Sequence, residues 1–149
     1  MAIPECLTCQ IVRQDRLMYE GPAAAVVLAT YEGELGVWPG HAPEIVAMGD
    51  GVLRIHRTEA DGGATQRIVV RGGYAEVTPG LVIVLADHAC DVEDIDPERA
   101  RTSRERTVAL RDALPAGDHG RAYYEDKIAW CDLLLAHAGD AEARAPERG

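Results

Sequence analysis

Phenylalanine is absent from this 149-residue chain, which holds two Trp and five Tyr, so Val, Ile, Leu and Ala must fill its core. Lysine is almost absent, one against fourteen Arg, a skew that reflects genomic base composition more than function. Serine occurs once, as Ser103, and there is no G-x-S-x-G nucleophile turn, no P-loop and no Rossmann glycine fingerprint. Long apolar runs are missing too. The longest, Gly21 to Ala29 and Leu81 to Ala86, fall far short of a membrane span, so direct membrane insertion is not expected. The N-terminal MAIPECLTC has neither a basic start nor an apolar centre, so a secretory signal is not expected. These absences point to a soluble protein whose membrane association, if any, runs through a partner.

Positive charge is scarce. The net charge is -10, with 6 Arg against 14 Asp and Glu in residues 1–94 and 9 basic against 11 acidic residues in 95–149. Nucleic-acid binding needs a basic face and is excluded on that ground. Four cysteines are present, but Cys6-x-x-Cys9 finds no second pair, because Cys90 and Cys131 stand apart. Ordinary thiols in a reducing compartment are the expectation, and neither a metal nor a resident cofactor.

What is there divides in two. Short strands broken by turns occupy the first ninety residues: Leu7 to Val12, Ala25 to Ala29, Val52 to Arg57, Arg67 to Arg71, Tyr74 to Thr78 and Leu81 to Asp87. The last is β-branched and almost wholly apolar, as for a strand covered on both faces. Turn signals every eight to twelve residues predict an antiparallel β-sandwich or barrel. At Asp96-Pro97-Glu98 the pattern changes to an N-cap, a first-turn proline and an acidic first turn, predicting a helix to about Ala113. Its core face is Ala100, Ser103, Thr107, Leu110 and Leu114. A second helix is expected from Arg121 to about Ala138, with a stripe of Tyr124, Ile128, Cys131, Leu135 and Ala138. The domains are thus 1–92, a β-domain; 93–140, an antiparallel two-helix hairpin; and 141–149, a polar tail.

Two stretches carry functional interest. EGELGVWPGHAP, Glu32 to Pro43, has five Gly or Pro among twelve residues, yet contains Leu35, Val37 and Trp38, with His41 among the turns. Glu32, Glu34 and His41 have ligand chemistry but no fixed spacing, so an enzyme or metal site built on the His41 loop is a poor fit. Residues 98–111 hold five Arg against two Glu, which suits either a solvated helix with local ion pairs or a surface for an acidic partner or phosphate.

Several motifs in order then resemble one family. GELG-x-x-PGHAP falls at 33–43, GVLRI at 51–55, GG-x-x-EV at 72–77, VIVLAD at 82–87 and IDPERA at 95–100. Together they resemble the epsilon subunit of F-type ATP synthases, called delta in mitochondria. The resemblance implies a β-sandwich followed by a helical hairpin, and a non-catalytic central-stalk (rotor) subunit coupling proton-driven rotation to ATP synthesis. It implies binding to the gamma subunit and the c subunits of the rotor ring, with contacts to catalytic alpha and beta subunits through the hairpin. The location implied is peripheral, on the cytoplasmic face of the bacterial cell membrane. Glu34, Trp38 and His41 are candidate interface residues, Trp38 being either a partner anchor or a filler of the sandwich core. Ile95, Asp96, Arg99, Ala100 and Arg106 match positions where some members bind regulatory ATP, although the second helix lacks the further arginines of that pattern. A free-standing nucleotide-sensing domain is the competing reading.

Overall fold

The computed structural model describes residues 2–14 and 16–140. The chain divides into two compact units, Met1–Asp91 and Val92–Gly149. The expected tail, 141–149, lies outside the described residues.

The first unit is an eight-stranded sheet: β1 (Leu7–Arg13), β2 (Arg16–Ala23), β3 (Ala25–Thr30), β4 (Gly33–Val37), β5 (Glu44–Ala47), β6 (Asp50–His56), β7 (Thr65–Val77) and β8 (Leu81–Asp91). The order is β2-β1-β8-β7-β6-β3-β4, with β5 also on β7. The sheet is not closed, so the architecture is a sandwich and not a barrel. One pair departs from the antiparallel pattern: β1 runs parallel to β8, with Thr8 opposite Leu81 and Arg13 opposite Ala86.

The two layers form because the longest strands bend. β5 and β6 occupy the same edge of β7, pairing with residues 74–77 and 65–71 respectively. Between them the Met48 N–H donates to the Gly73 carbonyl at 2.9 Å, and the Gly72 N–H to the Gly49 carbonyl at 3.3 Å. Gly72 and Gly73 sit at φ +67° and +100°, a turn of the chain that residues with a Cβ rarely make. The sequence pattern breaks here into two strands; the structure has one strand folded over at a corner. Leu7, Cys9, Ile11, Leu28, Val37, Leu53, Ile55, Val77, Val82 and Val84 alternate inward from both layers to make the core.

The second unit is a helical pair, α1 (Pro97–Asp112) and α2 (Arg121–His137). Asp96 caps α1, its Oδ1 accepting from the Arg99 N–H at 3.1 Å. Arg104 Nε meets Asp132 Oδ1 at 2.5 Å, while Arg121 donates to the carbonyls of Arg111 and Leu114, so the helices run antiparallel. Those carbonyls lie at the end of α1, where backbone donors run short; the Arg111 carbonyl also accepts the Leu114 N–H at 3.0 Å, and Arg121 adds a side-chain donor to both. Ala100 and Thr107 are buried on α1, and Ile128 and Cys131 on α2. The buried α1 face is narrower than the pattern predicts: Ala100 and Thr107, the small and modest residues facing α2, are buried, while Ser103 and Leu110 are exposed.

Candidate functional site: an outward sheet face and a rigid turn

The stretch from Glu32 to Pro43 is partly strand. β4 takes GELGV, with Val37 fully buried and opposite Val26 on β3. Alternation then turns Glu34 and Gly36 outward. Trp38 lies outside the core, 60% exposed, with its ring over Gly36. The core-filler reading of Trp38 is therefore wrong; Val37 occupies that place. Beyond it, Pro39 and Gly40 occupy the centre of a turn closed by the His41 N–H donating to the Trp38 carbonyl at 3.2 Å, with Gly40 at φ +90°. That is the residue pattern of a type II turn. The Gly40 N–H donates to the Pro79 carbonyl at 2.8 Å, tying the turn to the β7–β8 connection. His41 Nδ1 lies 2.7 Å from the Ala42 carbonyl, an acceptor, so the proton sits on Nδ1.

Glu34 is not free. Both of its carboxylate oxygens accept from Arg54 on β6, at 2.9 and 3.1 Å. Those hydrogen bonds first, and the Arg54 charge second, hold the Glu34 carboxyl below its ordinary value. Register explains the reach. Val27 on β3 stands opposite both Gly36 and Arg54, and Ala29 stands opposite Glu34. The structure thus brings Glu34, Arg54 and the Trp38 ring onto one outward patch, while His41 belongs to the turn beyond it. Arg54 is the residue the sequence reading did not select. Its signal was the outward alternation of Val52, Arg54 and His56 around the buried Leu53 and Ile55.

The other layer presents a second feature. One row across the sheet runs Ala47–Tyr74–Leu85–Val12–Leu17, each residue paired in register with the next. Tyr74, Leu85 and Leu17 are 63%, 55% and 52% exposed, and Ile45 nearby on β5 is 76% exposed. Leu81 to Asp87 reads as a strand covered on both faces, but only Val82, Val84 and Ala86 are buried.

The hairpin residues are distributed rather than gathered. Asp96 is engaged as the α1 cap, Ala100 is buried and Ile95 is half-buried. Arg99 and Arg106 are exposed, two turns apart on α1, and their side chains make no hydrogen bond or ion pair among the described residues. On α2 both early cations are occupied, Arg121 by the α1 carbonyls and Lys127 over the Tyr123 ring at 4.7 Å. Among the described residues no three His, Cys, Asp or Glu gather to hold a metal, and the four cysteines are free thiols. A pocket of about 230 Å³ between Tyr31 and Ile45 falls below the range of roughly 300–1,000 Å³ usual for ligand sites.

Comparison with known proteins decides the family. Residues 6–92 match the model of the ATP synthase delta/epsilon chain, beta-sandwich domain. The chain belongs to the ATP synthase delta/epsilon family. It is 40% identical over 117 residues to the ATP synthase epsilon chain of Moorella thermoacetica, covering 78% of this chain and 85% of that one. It is 39% identical over 144 residues to that of Bordetella avium, covering 96% of each. Its fold matches a chain in the Euglena gracilis mitochondrial ATP synthase OSCP/F1/c-ring structure with a TM-score of 0.66 at 26% identity, over 97% of this chain and 85% of that one. Membership makes it an epsilon-type accessory chain of ATP synthase with the fold of a central-stalk component. Among the described residues of this epsilon-family chain, no helix is long and apolar enough to cross a membrane.

Proposed function

We propose that this chain is a non-catalytic rotor subunit of an F-type ATP synthase, joining the gamma subunit to the c subunits of the rotor ring so that proton-driven rotation is coupled to ATP synthesis. It would act peripherally, at the cytoplasmic face of a bacterial membrane. The observation that carries the reading is the row Tyr74–Leu85–Val12–Leu17, exposed at all but the half-buried Val12, with exposed Ile45 beside it. An apolar face of this kind on a chain of net charge -10 suits a permanent protein interface. We assign it to gamma. The polar patch of Glu34 and Arg54, with Trp38 and the His41 turn, is assigned to the rotor ring, the other partner that the family resemblance implies. Both surfaces stand on strands or on a hydrogen-bonded turn, which limits the ordering cost of docking.

The test is reconstitution of the full chain with gamma and the ring. Leu85→Glu is expected to weaken retention at least about thirty-fold, as for a buried interface anchor, with the chain itself still folded. Unchanged retention overturns the assignment.

A second function, regulation of ATP hydrolysis by the hairpin through the catalytic subunits, is favoured by the exposed Arg99 and Arg106, cations available to an acidic partner. The same pair supports regulatory ATP less well, because the α2 cations that would complete a phosphate cage are already engaged. Hydrolysis by the assembled enzyme with and without residues 95–149 tests regulation: an unchanged rate removes it.

A further inference from the structure

We infer that Arg54 is a positioning residue for docking: it presents the Glu34 carboxylate, in one fixed orientation, to a hydrogen-bond-donating or cationic side chain of the rotor partner. This rests on the assignment of Glu34 to the interface.

Three observations lead there. The pair is bidentate, with both terminal guanidinium nitrogens, Nη1 and Nη2, engaged, and it bridges β6 to β4 across the intervening β3. Two planar groups locked by parallel hydrogen bonds have one mutual geometry, unlike a Lys–Glu pair. Second, Glu34 is exposed, and ion pairs at such positions contribute little to folding, so stability does not account for the arrangement. Third, the Trp38 ring lies over Gly36, in the same cross-strand row as Arg54, with Val27 between. Carboxylate and indole therefore stand together on a rigid sheet face. A free glutamate would have to freeze its side chain on docking, whereas this one is already ordered. Each carboxylate oxygen accepts one bond from Arg54 and keeps a lone pair for a partner. The same hydrogen bonds and the Arg54 charge lower the Glu34 pKa, which favours the ionised, acceptor form.

The experiment titrates full-length chain onto the gamma–ring complex purified without it. Variants are Glu34→Gln, Arg54→Gln, Arg54→Lys, the double Glu34→Gln/Arg54→Gln and the charge swap Glu34→Arg/Arg54→Glu, with melting temperature as the control for folding. Glu34→Gln and Arg54→Gln are each expected to weaken binding several-fold, the double no more than either alone, and Arg54→Lys by an intermediate amount. As pH falls, Arg54→Gln should lose binding earlier than the unaltered chain, because its carboxyl regains ordinary acidity. The charge swap keeps the pair but removes the carboxylate from position 34, and should not restore binding. If Arg54→Gln binds normally while Glu34→Gln does not, the inference is overturned and the docking role of Glu34 stands. Should the swap bind normally, the pair is only a strut and the inference is likewise overturned. If Glu34→Gln binds normally, the docking role of Glu34 falls and the inference falls with it.

Discussion

Gly73 faces Leu85 so closely that a Cβ built on the glycine would land on the Leu85 carbonyl oxygen. The clash is with backbone, which has no rotamer to move, and Gly73 also sits at φ +100°. Gly73→Ala therefore meets two obstacles at the corner where one sheet becomes two layers. A loss of at least about 2 kcal/mol is expected from the strained conformation and the forced displacement of β8. Denaturant unfolding of the full chain measures it, and a loss below about 0.5 kcal/mol would show that the corner yields.

Asp96 gives a local prediction. Its carboxylate satisfies an α1 amide that has no helical partner, so Asp96→Ala should cost about 1 kcal/mol in helix stability. Because the chain has two units, a single melting curve would blur this. Hydrogen exchange is the sharper measurement: the first-turn amides of α1 should exchange about fivefold faster, with β-strand amides unchanged.

Much of this architecture was legible in the sequence, and the rest failed for identifiable reasons. Strands such as Leu7–Arg13 and helix starts such as Asp96-Pro97 carry local signals of alternation and capping. β4 was hidden because its two glycines read as loop, and β5 because four residues carry little periodicity. β2 contains Gly21 and Pro22, which a strand tolerates at the end of a sheet, where no outer neighbour needs the missing N–H. Parallel pairing of β1 with β8 has no counterpart in periodicity, since alternation is the same for either direction. At the site, Glu34 and Trp38 were found through a motif. Arg54, twenty residues from Glu34, was not, because their meeting depends on the registers of β3 with two different neighbours.

Cys9 sets an alkaline limit. Burial pushes its thiol from 9.0 up to about 12. Between those values the folded chain keeps a proton that the unfolded chain has released, so folding binds protons and stability falls as pH rises. The slope approaches about 1.4 kcal/mol per pH unit above pH 9. Tyr19, raised first by burial, acts with the same sign, so the measurement is the difference between the chain and Cys9→Ala. The variant should lose less stability per pH unit between 9 and 11, and parallel curves would refute the assignment.

Gly36 offers the contrast with Gly73. A Cβ there would come within 2.5 Å of the Trp38 ring, at Cζ3, and 2.7 Å of Cη2. Here the obstacle is the far end of an exposed side chain, and Gly36 does not need a positive φ. Gly36→Ala should therefore change folding stability by no more than about 0.5 kcal/mol, because the indole can swing away. The displaced ring leaves the patch it shares with Glu34 and Arg54. Tryptophan fluorescence should shift, and binding to the gamma–ring complex should weaken several-fold with an unchanged melting temperature. The same substitution thus separates two demands on glycine in one sheet: at Gly73 the backbone itself needs the space, and at Gly36 the space seats an indole for docking. Normal binding with a displaced ring would remove Trp38 from the interface and leave its place on β4 without a docking role.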